Sequence, residues 1–217
     1  MKKILFILFL LPALGYANCD KDHVKGNGTI KSESRNLNSF NKISTGGSID
    51  IVIEQGFTES AEITTDENLM SYIITEVKDN TLSIHFKENV SISSTKLIVK
   101  VNCKELRAIS AGGSGDVKTA GVLKADKLEI SQGGSGDFKL NLNVSKLEIS
   151  KAGSGDFKLE GKIADLELSS AGSGNLDASK TTVGDAEISM AGSGDVVLPK
   201  GTKPKVSSVG SGDVHYE

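Results

Sequence analysis

The chain has 217 residues, with 25 basic against 28 acidic side chains and a net charge of −3. That length suits one domain plus a short extra segment, and the mildly acidic balance excludes a nucleic-acid binder, which needs a basic face. Two cysteines, Cys19 and Cys103, exclude a disulfide framework and a cysteine-built zinc centre.

The chain opens "MKKILFILFLLPALGYANC", two lysines, a short apolar run, then Gly15-Tyr16-Ala17. This is the layout of a secretory signal, too short to span a bilayer. It predicts removal of residues 1–17, or 1–18 in a lipoprotein, and an exported mature chain. No later stretch approaches the length of a membrane-spanning helix. Cys19 follows the signal directly, where a bacterial lipoprotein carries its acylated cysteine. Asn18 stands where Gly, Ala or Ser is usual, so two readings remain: lipidation at Cys19, or ordinary cleavage after Ala17 that leaves Cys19 a bystander. Residues 18–38 are polar and read as a tether.

From residue 39 the chain is strand-rich. "GGSIDIVIEQG" from Gly46 reads as a degenerate corner followed by the alternating Ile49, Ile51 and Ile53. "MSYIITEVKDNTLSIHF" reads as two strands about Asp79-Asn80, and "KLIVKV" as another. Residues 39–107 are thus expected to form irregular coils that close one end of a core, as terminal repeats of solenoids do.

Residues 108–217 are periodic. "AGSGDFKL" from Ala152 has relatives in "GGSGDVKT", "GGSGDFKL", "AGSGNLDA", "AGSGDVVL" and "VGSGDVHY". The first glycines of these corners, Gly113, Gly134, Gly153, Gly172, Gly192 and Gly210, are 21, 19, 19, 20 and 18 residues apart. A period near twenty is the mark of a stacked repeat. Ile109, Ile130, Ile149, Leu168, Ile188 and Val206 stand four residues before it, and Val117, Phe138, Phe157, Leu176, Val196 and Val214 four after. "LEI" and "FKL" alternate as strands do. Continued from Ile149, the alternation would bury Lys151, so the phase is expected to break at the corner, where glycine accepts unusual backbone angles. A hairpin array or a coil satisfies the alternation. Equivalent positions carry the same residue type down the repeats, which favours a coil: a single-stranded parallel β-helix with turns of about twenty residues.

"NKISTGGSIDIVIEQG", "ENLMSYIITEVKDNTLSIHF", "KLIVKV" and the repeated Gly-Ser-Gly-Asp resemble the head GIN domain family, assigned to the heads of auto-transporter adhesins. The resemblance covers residues 39–217. It implies a right-handed parallel β-helix in an envelope protein of a Gram-negative bacterium. That family has no established activity, so the resemblance carries over no catalytic residue.

The corner aspartates Asp116, Asp137, Asp156, Asp195 and Asp213, with Asn175 in the same series, would stand about 4.8 Å apart in a coil. Neighbouring carboxylates at that distance repel by about 1 kcal/mol in water and roughly 3–4 kcal/mol at an effective dielectric near 20. Each Asp is expected to cap its own turn by accepting a nearby N–H, a role Asn175 can share. The alternatives are calcium along the column, or a carbohydrate-active site built on carboxylate pairs. Such pairs recur at every coil, whereas catalysis needs one coil that differs. His23, His85 and His215 are far apart and read as solvated. Glu129, Glu148, Glu167 and Glu187 form one outward column, and Lys118, Lys139 and Lys158 another; charged outer rows mean solubility and edge protection. No Lys-Ser/Thr follows the glycines at phosphate-loop spacing. The expectation is a non-catalytic, cofactor-free protein of the periplasm or outer membrane surface, an adhesin or binding scaffold. Its partner would be a surface protein, a glycan or a second copy, with membrane contact only through a lipid on Cys19.

Overall fold

The computed structural model describes residues 22–217; the predicted signal and Cys19 lie outside them. Strand makes up 70% of the structure and helix 3%, wound into a parallel β-solenoid of about 5 turns.

Strands β1 (Asp22–Lys25) and β2 (Ile30–Asn36) come first, then β3 (Lys42–Gly47) and β4 (Asp50–Gln55), which meet at the corner Gly47–Asp50. Next are β5 (Ser60–Asp66), a 3₁₀ turn Glu67–Tyr72, β6 (Ile73–Lys78), β7 (Thr81–Phe86), β8 (Val90–Ser93) and β9 (Leu97–Cys103). β7 lies parallel to β3, and β9 parallel to β4, matching Ile43 with Leu82 and Ile51 with Val99. The lowest coil therefore follows the second in sequence. Antiparallel strands finish this end: β6 folds back on β7 through Asp79 and Asn80, both at positive φ, while β5 lies on β9 and β2 on β5. The outermost strands carry Lys31, Glu33 and Arg35 on β2 and Glu76 and Lys78 on β6, charges that discourage further edge pairing.

Within the stretch expected as a tether, residues 22–25 and 30–36 are paired strands: the first pairs in parallel with β8, and the second forms the antiparallel edge on β5. Asp66 fastens the turn between them: its carboxylate accepts the N–H of Gly28 at 2.7 Å, the N–H of Thr95 at 2.7 Å and the Thr95 hydroxyl at 2.9 Å. Burial alone would raise this carboxyl; the Thr95 and Gly28 donors overcome it and hold the group below its ordinary value.

The regular coils are β10 (Ala108–Gly113), β11 (Val117–Gly134), β12 (Phe138–Gly153), β13 (Phe157–Gly172) and β14 (Leu176–Gly192), followed by the shorter β15 (Val196–Leu198), β16 (Lys205–Gly210) and β17 (Val214–Tyr216). Each of β11 to β14 runs continuously through three stretches. In β12 these are Phe138–Leu140, Asn141–Val144 and Lys146–Gly153, here termed the Phe face, the middle face and the Ile face. The middle face, read from sequence as a looser link, is strand too: Leu142 pairs with Leu123 below and Gly161 above. Ile43, Ile109, Ile130, Ile149, Leu168, Ile188 and Val206 fall in one parallel register. All but the last are buried. Phe138 and Phe157 stack inside with ring centroids 4.5 Å apart and planes 6° from parallel. Like-on-like rows make this packing continuous along the axis.

Candidate binding surface

At the Gly-Ser-Gly-Asp corner successive coils approach too closely for a side chain at either glycine. Gly153 sits at φ +145°, and a Cβ there would stand 2.0 Å from the carbonyl oxygen of Gly134. At Gly155 the angle is ordinary and space is the constraint: a Cβ would meet the Gly136 oxygen at 2.1 Å. One glycine answers a backbone angle, the other coil-on-coil contact. In the β3–β4 corner Ile49 takes the position of Gly155 with its side chain buried.

The aspartates do not cap their own turns. From Asp116 to Asp195 the side chain accepts the backbone N–H of the corresponding residue one coil further on: Asp116 from Asp137 at 2.9 Å, Asp137 from Asp156 at 2.8 Å and Asp156 from Asn175 at 2.7 Å. Asn175 takes the Asp195 N–H at 2.9 Å through its amide oxygen, and Asp195 that of Asp213 at 3.0 Å. The column begins earlier than the repeat suggested, with Asp50 accepting from Asp116 at 3.0 Å. Parallel stacking turns a local capping bond into an intercoil one. Among the described residues no three His, Cys, Asp or Glu side chains converge as a metal cage.

Alternation also runs further than expected. Thr45, Ala111, Gln132, Lys151, Ser170, Met190 and Ser208 share one register on the Ile face. Of these, Lys151 points inward with 3% of its surface exposed. Its Nζ donates to the Asn175 carbonyl at 3.3 Å and lies 5.6 Å from the centre of the Phe157 ring. Burial pulls this ammonium below its usual pKa, opposed by the charges of Asp156 and Asp137. Gln132 and Ser208 likewise donate to the carbonyls of Gly136 and Gly212. The polar row thus satisfies corner carbonyls from inside, and Lys151 sets a cation beneath the carboxylate column.

The flanks carry the accessible chemistry. On the Ile face an ion-pair chain climbs the coils: Lys127 to Glu129 at 2.7 Å and to Glu148 at 2.9 Å, then Lys146 to Glu148 at 2.6 Å and to Glu167 at 3.1 Å. Hydrogen bonds from Lys146 and then Lys127 hold the Glu148 carboxyl below its ordinary range. Beside this chain runs a column of exposed serines, Ser110, Ser131, Ser150, Ser169, Ser189 and Ser207, next to the small residues Gly112, Gly133, Ala152, Ala171 and Ala191. Together they line a shallow trough of about 640 Å³. A larger groove of about 1180 Å³ runs along the junction of the middle and Ile faces, where Asp126, Ser145, Ala164 and Gly184 turn the chain. No Asp of the corner column lines either. On the Phe face Lys118, Lys139 and Lys158 stack in register. His85 is 3.7 Å from Glu76, and His23 Nε2 is 3.4 Å from the Ser93 hydroxyl. Cys103 is buried, its thiol pushed up to about 11 by burial and by Glu59.

Stacked coils, a closed corner and long accessible flanks define a parallel β-solenoid. The family model described as "Putative auto-transporter adhesin, head GIN domain" matches residues 39–217, and the chain belongs to that family. Among solved structures it is similar to an adhesin so described ("putative") from Bacteroides fragilis NCTC 9343: 25% identity over 89% of this chain and 100% of that one, with a TM-score of 0.80. Another "putative adhesin", from Parabacteroides distasonis ATCC 8503, is 26% identical over 90% of this chain and 100% of its own, with a TM-score of 0.65. A "putative lipid binding protein" from the same organism shares the fold at 23% identity and a TM-score of 0.66, over 90% and 100% of the two chains. No curated protein matches. No helix among the described residues is long and apolar enough to cross a membrane.

Proposed function

We propose that the protein is a non-catalytic, exported envelope protein that binds a surface ligand through the flanks of its solenoid, as an adhesin head does. The observation that carries this reading is the division between corner and flank. The corner is closed by glycine packing and its carboxylates are engaged in intercoil bonds, while the trough and the groove both lie on the flanks. The matched family and the adhesin-described neighbours support the same class. A lipid on Cys19 would hold the head at the outer membrane; cleavage after Ala17 would release it. Immobilised protein of residues 22–217 should bind saturably to at least one of a panel of bacterial polysaccharides, mucin glycans and matrix proteins, and leave it intact. Absence of binding across the panel, or new reducing ends on a bound polysaccharide, would overturn the proposal.

A further inference from the structure

The chain is net acidic, yet the groove at the junction of the middle and Ile faces is lined by five cations and three carboxylates. Two of the carboxylates are engaged: Glu129 with Lys127 at 2.7 Å and Glu105 with Arg107 at 3.6 Å. That leaves Lys42, Lys124 and Lys162 facing Asp126 alone, and among the described residues none of the three ammonium groups has an ion-pair partner. The neighbouring Ile face differs, for there Lys127 and Lys146 each bridge two glutamates.

Position in the coil gives this charge a direction. Lys124, Asn143, Lys162 and Thr182 occupy one outward column of the middle face. Lys124 and Lys162 are therefore two strands apart, about 9.6 Å along the axis, with an amide between them and a hydroxyl beyond. Beneath them Val144 and Ile163 are buried, and the turn residues Ser145, Ala164 and Gly184 are too small to fill the groove. Gln55 braces its lower end: its side chain accepts the Lys124 N–H at 2.8 Å and donates to the carbonyls of Lys124 and Lys104, each at 3.0 Å.

We infer that this groove binds a linear acidic polysaccharide lying along the solenoid axis, with uronate carboxylates on Lys124 and Lys162 and sugar hydroxyls on Asn143 and Thr182. The inference rests on the proposed binding role and names the ligand class and the flank. Two strand spacings approximate the length of a disaccharide, so carboxylates on alternate sugars fall on alternate coils. A nucleic acid fits less well: its charges are far denser, at about one per 1.7 Å in duplex form, and the lining has no aromatic ring on which bases could stack.

The test is calorimetric titration of residues 22–217 with an oligogalacturonate of about eight sugars, its fully methyl-esterified form and a single-stranded oligonucleotide. Binding of the free acid alone is expected, weakening as salt rises. Lys124→Gln/Lys162→Gln should weaken it about tenfold or more, whereas Lys78→Gln/Lys87→Gln, an equal charge change at the capped end, should leave it within about twofold. Equal losses in both variants, equal binding of the ester, or preference for the oligonucleotide would overturn the inference. If the oligogalacturonate fails while another panel ligand binds, this inference falls and the broader binding role stands.

Discussion

Gly155→Ala adds one methyl group at a tight part of the corner where the backbone angle is ordinary. The new Cβ would lie 2.1 Å from the Gly136 oxygen, 2.2 Å from the Gln132 Nε2 and 2.9 Å from the Gly136 carbon. The Gln132 amide can swing aside, but the Gly136 carbonyl belongs to the coil below. Restoring ordinary contact needs more than about 1 Å of separation between the two corners. That strains three intercoil bonds: Ser154 N–H to Gly134 O at 3.1 Å, Asp156 N–H to the Asp137 carboxylate at 2.8 Å and Phe138 N–H to Asp156 O at 2.8 Å. At about 1 kcal/mol each, with water recovering part at the exposed edge and overpacking adding about 1 kcal/mol, the net loss is about 3 kcal/mol. For a domain of this size it corresponds to a melting temperature lower by roughly 6–12 °C. Circular dichroism melts of residues 22–217 would measure it. Gly121→Ala is the control, since a Cβ there meets nothing within 4 Å and the φ is ordinary; it should be neutral or slightly stabilising. If Gly155→Ala melts within about 2 °C of the parent, close coil approach is not what the glycine serves.

Other perturbations test the remaining parts. Lys151→Met removes a buried cation from a row that already holds Met190, and should stabilise by about 1–2 kcal/mol. Because burial lowers the folded pKa of Lys151 beneath its ordinary 10.5, the cost of the ammonium is full below that folded value and is relieved as pH rises toward 10.5. The advantage of Met should therefore shrink in alkaline melts. Asp156→Asn should change stability by less than about 0.5 kcal/mol, since Asn175 already makes the same bond; a calcium-dependent rise in melting temperature that this variant abolishes would make the column a metal site. Asp66, held below its ordinary value, stabilises above the usual carboxylate range and loses that contribution as pH falls through its folded pKa. Protection of the Gly28 and Thr95 amides against hydrogen exchange, relative to their intrinsic rates at each pH, should fall there, and unchanged protection would remove the clamp. Folded protein should resist maleimide at Cys103, whose thiol is buried and raised to about 11; rapid labelling would contradict that burial.

The parallel coil was legible because like residues recur at a near-constant interval: the Ile row and the Phe138–Phe157 stack follow once equivalent positions are superposed. Lys151 was not, because a charged residue in the inward phase reads as a break in alternation, and its burial rests on the Asn175 carbonyl, the Phe157 ring and the charges of Asp156 and Asp137. The Asp bonds were half legible. Composition of the slot, five Asp and one Asn, indicated an acceptor, but the donor lies about twenty residues away and only register supplies it. Residues 22–36 read as a tether because β2 is an exposed polar edge whose partner, β5, follows it by some thirty residues. The groove lysines had a faint signal, since Lys124 and Lys162 are two repeats apart. It was lost because Asn143 and Thr182 occupy the intervening and following places, so the column shows no single residue type.

That mixed column separates the demands on corner and flank. At the corner the constraint is backbone against backbone, so the last residue that can change freely is the one already seen to change, Asp to Asn. On the flanks, register fixes only where a side chain stands. The Glu column of the Ile face reads Lys42, Ala108, Glu129, Glu148, Glu167, Glu187 and Lys205, and the Lys column of the Phe face gives way to Asp177 and Val197. Every one of these residues stands on a strand that keeps the same parallel register as its neighbours. Charge and hydroxyls can therefore be written along the axis at strand spacing with little cost to the core. A ligand that also repeats, such as a linear polysaccharide, can match several coils at once and gain affinity from each. A solenoid of about 5 turns repeats its flank positions along the axis, whereas at the corner the side-chain oxygens from Asp50 to Asp195 already accept intercoil N–H groups.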